Sequence, residues 1–545
     1  MKTILIGINA KFIHTNNAIR LLKANSDFDV DFIEYTIKDD VLKIVDEIIK
    51  LNPTLVGFSA YIWNIEIIKK VIEELSKSYK NKILIGGPEV SYESEFYIHN
   101  TSADYIIKGE GEYSFNMLLH ALNNNTPIED VINLTTMVDG VLINNPIEEI
   151  LDLTTLNMPY YFEEDIVNIP NKIAYIETSR GCPYKCSYCL SSLEKTVRFF
   201  DMEEVKKSIL YLLGKGAKTF KFLDRTFNAN KQVINLFDFI IKNHKQGTVF
   251  QFEITGDVLP KAIIEYVNEF APVGLFRFEI GIQSTNEATN LLVNRIQNTK
   301  KLFENIKLIE KHKVVDLHLD LIAGLPKEDL ESFKKTFNEV FELGAKELQL
   351  GFLKMLRGTK IRNESEKYSY EFLEASPYQI TKNESLSPED LDEIHDVEHM
   401  LEMYHNKGYF NTSVLEVINH YSSSYDFFRD LSIYYKTNNL PTFAYQVDQV
   451  YGALLNFLKE IKFKNYADMF DNIKRDYLLR SKVKPKIFWD EHILKTTKLD
   501  VFLSLVKKTK LNINFLYKYG YITTYKTGYL IVTYQNLEAK EYIIN

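Results

Sequence analysis

Cysteine is almost absent from this chain: three among 545 residues, all within eight positions, at Cys182, Cys186 and Cys189. An odd, clustered set excludes a disulfide framework. A closed structural zinc site would need a fourth ligand, and the nearest downstream histidine is His244. Long apolar runs are missing too. No stretch approaches the roughly 18 residues of a membrane-spanning helix. The start, Met1-Lys2 followed by Ile4-Leu5-Ile6-Gly7-Ile8, is too short for the apolar core of a signal peptide and reads as a buried first strand. These absences predict a cytoplasmic chain with no membrane partner, where thiols stay reduced. An excess of positive charge is also lacking. The formal net charge of −9 argues against a wholly basic nucleic-acid binder. The charge is uneven: from Lys474 onward 14 Lys/Arg stand against 6 Asp/Glu, a local +8 that leaves −17 elsewhere. That segment reads as a basic solvated face, with a docking face for RNA or another anion as the alternative.

What is present begins with the cysteine spacing itself. Three thiolates at intervals of four and three suit an iron–sulfur cluster with one iron left open, since four thiolates would fill every corner. The segment reads Arg180-Gly181-Cys182-Pro183-Tyr184-Lys185-Cys186-Ser187-Tyr188-Cys189, with aromatic Tyr188 just before the last thiol. This CxxxCxxC pattern resembles the signature of radical S-adenosylmethionine (SAM) enzymes. The resemblance implies a [4Fe-4S] cluster held by Cys182, Cys186 and Cys189, whose open iron takes the amino and carboxylate groups of SAM. It also implies reductive cleavage to a 5′-deoxyadenosyl radical and an external one-electron reductant of the flavodoxin or ferredoxin type.

The composition, 45% apolar and 26% charged, is that of a globular protein of about two to four domains. Residues 1–145 alternate short apolar strands with amphipathic helices: Lys2–Ile8, Val30–Tyr35, Leu55–Ser59, Lys82–Ile85 and Tyr105–Lys108 as strands, Val41–Leu51 and Glu66–Tyr79 as helices. This order predicts an open, mostly parallel α/β sheet with ligands beyond the carboxyl ends of its strands. The turns there are glycine-rich, Gly86-Gly87-Pro88-Glu89 and Gly109-Glu110-Gly111-Glu112. In position and motif the region resembles the Rossmann-like cobalamin-binding domain that precedes many radical SAM domains. By that resemblance Asn9, Ser59, Gly86, Gly87, Pro88, Gly109, Glu110 and Gly111 face the corrin or its nucleotide tail. The DxHxxG motif of such domains is missing. The first loop reads Asn9-Ala10-Lys11-Phe12-Ile13-His14-Thr15-Asn16-Asn17, where His14 is either a lower cobalt ligand or a loop histidine bonded to the backbone.

Residues 146–170, with Pro146, Pro159 and Pro170, read as a linker. Residues 171–370 then show six strands, each followed by a polar or glycine loop and mostly by a helix, predicting a partial (β/α)6 barrel with its chemistry on the loops after the strands. Within it the chain is similar to radical SAM enzymes of the oxygen-independent coproporphyrinogen oxidase type. Gln283 follows the fourth strand, Arg295 stands twelve residues later, and Asp320 lies on the fifth strand. The resemblance gives Gln283 and Asp320 to the SAM ribose and Arg295 to its carboxylate. Glu253 and Glu279 are acids for the SAM amino end or for structural ion pairs. Asp224 and Arg225, in the loop after the second strand, are expected to be paired or to touch a ligand, because a buried lone charge is costly.

Residues 371–545 read as a mainly helical domain with a basic tail. Ser387-Pro388-Glu389-Asp390 marks a helix start, and His395-Asp396-Val397-Glu398-His399 reads as an exposed helix face rather than a metal motif. With no cysteine here, no auxiliary cluster can be built. The region resembles the domain of unknown function that follows cobalamin-type radical SAM domains in some bacterial proteins. Taken together, the resemblances imply a cobalamin-dependent radical SAM enzyme that methylates an unactivated carbon. Cyclisation, rearrangement or oxidation with the same cofactors, and RNA modification through the basic C-terminus, are the alternatives.

Overall fold

The structure, a computed structural model, describes residues 1–124, 126–148, 151–194, 196–410 and 412–544. The chain divides into two compact units, Met1–Phe333 with Leu343–Ala345 and Leu350–Pro388, and Lys334–Glu342 with Lys346–Gln349 and Glu389–Asn545.

The first unit opens with a seven-stranded sheet: β1 (Thr3–Asn9), β2 (Val30–Thr36), β3 (Leu55–Ser59), β4 (Lys82–Gly86), β5 (Tyr105–Ile107), β6 (Leu134–Val138) and β7 (Val141–Asn144), in the order β2-β1-β3-β4-β5-β6-β7. β1 to β5 pair in parallel and the edge is antiparallel. Every residue of β1 is buried, as a strand covered on both faces requires. Ile4, Ile6 and Ile8 pack on one side with Ile44, Ile68 and Ile72. Leu5 packs on the other with Ile19, Phe115 and Leu118. The β6–β7 hairpin was not among the sequence expectations. Its turn is Asp139-Gly140 with φ of 47° and 79°, the left-handed pair that an Asp-Gly hairpin turn uses.

The same unit carries a six-stranded sheet built from β8 (Ile173–Ile176), β11 (Thr219–Phe222), β12 (Val249–Glu253), β13 (Phe276–Gln283), β14 (Asp316–Ala323) and β15 (Glu347–Phe352), in the order β15-β14-β13-β12-β11-β8. Between them β9 (Ser179–Arg180) and β10 (Arg198–Phe199) form a two-residue antiparallel ribbon. The pairs from β8 to β14 are parallel, giving the expected partial barrel. Along β13 buried and half-buried residues alternate without exception, and β14 does the same. The buried set is aromatic and helix-covered: Phe220 stacks on Phe250 at 4.4 Å, Phe222 on Phe252 at 4.5 Å, and Phe276 meets Phe237 of the helix Val233–Asn243 at 4.9 Å. The opposite wall carries Tyr175, Lys221, Glu253, Arg277, Glu279, His318 and Asp320, all half-buried. β13 runs three residues past the end expected for it, so Gln283 is its last residue.

The first unit reaches Pro388 rather than residue 370. The ribbon Glu371–Phe372 with Ile380–Lys382 belongs to it. The second unit starts its main helical run at Pro388–Leu401, where the Ser-Pro-Glu-Asp signal lies. His395, Glu398 and His399 are half-buried there, not fully exposed. After Tyr466–Arg480 the basic tail folds as two helices, Lys495–Lys508 and Ile513–Tyr519, on an antiparallel sheet of Gly520–Tyr525, Gly528–Gln535 and Glu538–Ile544. The unit is therefore mainly helical with a sheet at its end. Among the described residues no helix is long and apolar enough to cross a membrane.

Candidate functional site

The cysteine loop leaves the β9–β10 ribbon at Gly181. Its φ is 95°, and a Cβ there would lie 2.0 Å from the carbonyl oxygen of Thr196, so only glycine fits. Cys186 is buried, and Cys182 and Cys189 are half-buried. The loop is pinned by Ser187 N–H to Val293 O at 2.8 Å and Ile361 N–H to Ser187 O at 3.0 Å. Cys182 Sγ lies 3.5 Å from Thr226 Oγ1. Burial pushes the Cys189 thiol up, while Arg225 pulls it back toward thiolate. Among the described residues no three His, Cys, Asp or Glu side chains converge on a single metal ion. A cluster does not ask for that convergence, because each thiolate takes its own iron. Three separated thiols beside a cation are the donor set it needs.

Arg295 sits next to this loop. It donates to Tyr188 Oη at 3.1 Å, to Gln297 Oε1 at 3.1 Å and to the Gly281 carbonyl. Asp224 is buried and paired, as expected, but with the chain ahead of the loop. It accepts from Thr178 N at 3.0 Å, from Ser179 Oγ at 2.6 Å and from Thr178 Oγ1, and burial pushes its carboxyl up to about 6. It therefore anchors the loop's first turn instead of reaching toward a ligand. Arg225 lies 3.6 Å from Glu253.

Gln283 has a φ of 68°, and its Oε1 is buried without a hydrogen-bond partner among the described residues. Such an atom is costly unless a ligand donates to it. Glu253, a third exposed, is raised by burial and opposed by Arg225. Asp320 takes His318 Nε2 at 3.0 Å and remains about a third exposed. Glu279 is committed to ion pairs, accepting from Lys221 at 2.9 Å with Arg277 at 3.7 Å. Glu253 and Asp320 on the polar wall are each about a third exposed and Gln283 Oε1 is unpaired among the described residues, whereas Glu279 is held by its neighbours and Arg295 lies beside the cysteine loop.

At the carboxyl end of the first sheet, Gly87 has a φ of 117° and a Cβ would lie 2.4 Å from the Ala60 carbonyl. Glycine is thus required at 87 by the close approach of the Ala60 backbone, at the carboxyl end of the central strand β4. Ser91 Oγ accepts from Gly109 N at 2.9 Å, and Gly111 packs on Leu22. Other candidates are occupied. Asn9 Nδ2 donates to Glu34 at 2.9 Å and to the His14 carbonyl at 3.1 Å. Ser59 Oγ accepts from Asn16 Nδ2 at 2.7 Å. His14 turns to the barrel, with Nδ1 2.6 Å from Tyr175 Oη, and burial lowers its pKa. Its ring is bonded to Tyr175 rather than to backbone. Glu110 also departs from expectation: it holds Arg198 at 2.8 Å and Arg180 at 3.3 Å. The aromatic pair Tyr61 and Trp63, just beyond β3, was missed. Its rings stack at 4.4 Å, and Trp63 is 47% exposed. The signal was an aromatic doublet in a loop after a central strand.

Known proteins share these features. Residues 4–119 match the B12 binding domain model, 176–340 the Radical SAM superfamily model, and 366–533 a model described as a protein of unknown function. An uncharacterized methyltransferase of Pyrococcus horikoshii is 27% identical over 207 residues, 35% of this chain and 43% of the relative. The cobalamin-dependent radical SAM methyltransferase TokK of Streptomyces tokunonensis is 22% identical over 319 residues, 54% of this chain and 46% of the relative. The chain spans about half or less of the length of the curated relatives it matches. Among solved structures, the cobalamin-dependent radical enzyme OxsB with aqua-cobalamin bound superposes with a TM-score of 0.62 at 14% identity, covering 88% of this chain and 80% of that one. The methyltransferase TsrM of Kitasatospora setae, with cobalamin and a [4Fe-4S] cluster, gives 0.60 at 14% identity, covering 71% and 83%. These likenesses bear out the predicted architecture of both domains.

Proposed function

We propose that this chain, which belongs to the radical SAM superfamily and carries a B12 binding domain, is a cobalamin-dependent methyltransferase acting on an unactivated carbon. The observation that carries the reading is the direct attachment of the cysteine loop to the glycine-rich edge of the first sheet, through Glu110, Glu112, Arg180 and Arg198. Those ion pairs join the segment that carries the cysteines to the turn after β5, which supports a reading in which both cofactors serve one reaction. When bound, the cluster supplies the electron that cleaves SAM to a 5′-deoxyadenosyl radical, and cobalamin supplies the methyl group.

The chain's own residues bind and orient. Cys182, Cys186 and Cys189 are the thiolate ligands, and the Arg225 charge beside Cys189 favours its deprotonated form. Arg295 presents a guanidinium to the SAM carboxylate and is held in place by Tyr188 and Gly281. Gln283 and Asp320 take the ribose hydroxyls, which gives the buried Gln283 Oε1 a donor. Glu253 takes the SAM amino group. Gly86-Gly87-Pro88 and Trp63 receive the corrin. With all three cysteines used by one cluster, no thiolate remains for a second, so the electron comes from an external reductant of the flavodoxin or ferredoxin type.

Anaerobic reconstitution of the full chain tests this. About four iron and four sulfide per chain are expected, with cobalamin in near-equal amount. Failure to bind cobalamin at micromolar protein sinks the methyltransferase reading. In Cys186→Ala, 5′-deoxyadenosine formation is expected to vanish; persistent cleavage would refute the cluster assignment.

A further inference from the structure

The loop that holds the three cysteines is closed at its base by a ribbon of two residues per strand, far too short to be stable alone. In that ribbon Arg180 stands directly opposite Arg198. Like charges facing each other across a strand pair repel, so this base needs anions from outside the loop. They come from the turn after β5 in the N-terminal domain. Glu110 takes Arg198 Nη1 at 2.8 Å through one oxygen and Nη2 at 2.8 Å through the other, and also accepts from Arg180 Nη1 at 3.3 Å. Glu112, 6% exposed, takes Arg180 Nη2 at 2.7 Å. Glu177, three residues before Arg180, also accepts from it at 3.0 Å, and the Leu151 carbonyl accepts from Arg198 Nη1 at 3.2 Å. Arg180 and Arg198 are 14% and 20% exposed, so water screens these pairs little.

Resting on the two-cofactor reading above, we propose that Arg180 and Arg198 are positioning residues through which Glu110 and Glu112 of the B12 binding domain set the geometry of the cluster loop. Gly181 transmits it: the Thr196 carbonyl oxygen lies 2.0 Å from where a Cβ would stand, so the ribbon and the residue before Cys182 are held close. A guanidinium suits position 180, because its fork reaches Glu110, Glu112 and Glu177 together, which a lysine does only in part. The Gly-Glu-Gly-Glu turn then serves the cluster loop.

The test uses the full chain with Glu110→Gln/Glu112→Gln, and Arg180→Lys as a milder second variant. In the apo chain, amide exchange of the peptide covering 179–199 is expected to rise about ten-fold in the double variant, less in Arg180→Lys, with β1 to β5 unchanged. In the reconstituted enzyme, kcat for 5′-deoxyadenosine formation is expected to fall about ten-fold with the KM for SAM held within about three-fold. Unchanged exchange at 179–199, a rise spread evenly over the unit, or an unchanged kcat would overturn the proposal. If the wild-type chain forms no 5′-deoxyadenosine, the function proposed above falls, and the exchange measurement still decides this one.

Discussion

Replacing Glu34 with Gln should cost the first unit about 3 kcal/mol at neutral pH, and the cost should vanish in acid. Glu34 ends a buried network. Its carboxylate accepts from Arg20 at 2.9 Å, Lys172 at 2.6 Å, the Asn16 amide at 2.6 Å and Asn9 Nδ2 at 2.9 Å. Arg20, 2% exposed, also holds Asp165 through two contacts of 2.7 Å. The network therefore ties the first sheet, the segment after residue 145 and the start of the barrel. Burial would raise the Glu34 carboxyl, but Arg20 and Lys172 outweigh it and hold the pKa down to about 2 from 4.5. A carboxyl depressed by folding contributes stability that is complete above 4.5 and is lost as pH falls through 2. The fall from 4.5 to about 2, at about 1.4 kcal/mol per pH unit, gives about 3 to 4 kcal/mol. Gln keeps the size and leaves Arg20 paired with Asp165, so the loss should not grow to that of an orphaned buried guanidinium. Pulse proteolysis in urea on the apo chain measures the gap between wild type and variant. It should be constant from pH 8 to 6 and narrow below about pH 4.5. A gap under about 1 kcal/mol at pH 7, or one that does not change with pH, refutes the reasoning.

Three further outcomes follow from single contacts. Gly181→Ala places a Cβ 2.0 Å from the Thr196 carbonyl at a φ of 95°; reconstituted iron per chain should drop sharply, and a normal iron content would show that the ribbon can open without consequence. Trp63→Ala removes an exposed ring stacked on Tyr61 at 4.4 Å and should weaken cobalamin binding about ten-fold in an absorbance titration; an unchanged affinity removes the aromatic pair from the corrin site. Asp224→Asn tests the opposite sign of titration from Glu34. Burial raises Asp224 from 3.8 to about 6, so the wild type loses stability as pH rises through that interval. Relative to the variant it should lose about 3 kcal/mol between pH 4 and 7; a pH-independent difference contradicts the assignment.

The parallel strands of both sheets were legible because each pairs a short apolar run with an amphipathic helix at regular spacing. The cysteine loop was legible because spacing alone limits what three thiols can hold. The β6–β7 hairpin was not read, although Asp139-Gly140 is a strong turn signal: its strands are short and do not alternate apolar with polar, so periodicity hides them. Glu110 was assigned to the corrin because motif position says which edge a residue lies on, not which partner reaches it first. The partner, Arg198, is 88 residues away in sequence. His14 was read within its own loop for the same reason, and its partner Tyr175 lies in the barrel. Long-range side-chain contacts, a charge pair for Glu110 and a hydrogen bond for His14, carry no local periodicity, and they decided both cases.

The barrel wall shows why a chain can afford so many charges near its cofactors. A parallel sheet is ordinarily apolar on both faces, and a closed barrel of eight strands is filled by branched apolar side chains. Here one face is apolar and the other is not. The helix-covered face is unusually aromatic: Phe220, Phe222, Phe250, Phe252, Phe276 and Phe278 are each at most 1% exposed. Each such ring buries a large apolar area, so one face alone supplies the sheet's cohesion. The opposite face is then released from packing and carries Lys221, Glu253, Arg277, Glu279, His318 and Asp320. Their pairing, Lys221 with Glu279 across strands and His318 with Asp320 along β14, satisfies the charges without filling the space. A wall of this kind does not collapse on itself. It holds polar groups at fixed register, which is what a site needs when it must orient a zwitterion such as SAM rather than bury a hydrocarbon.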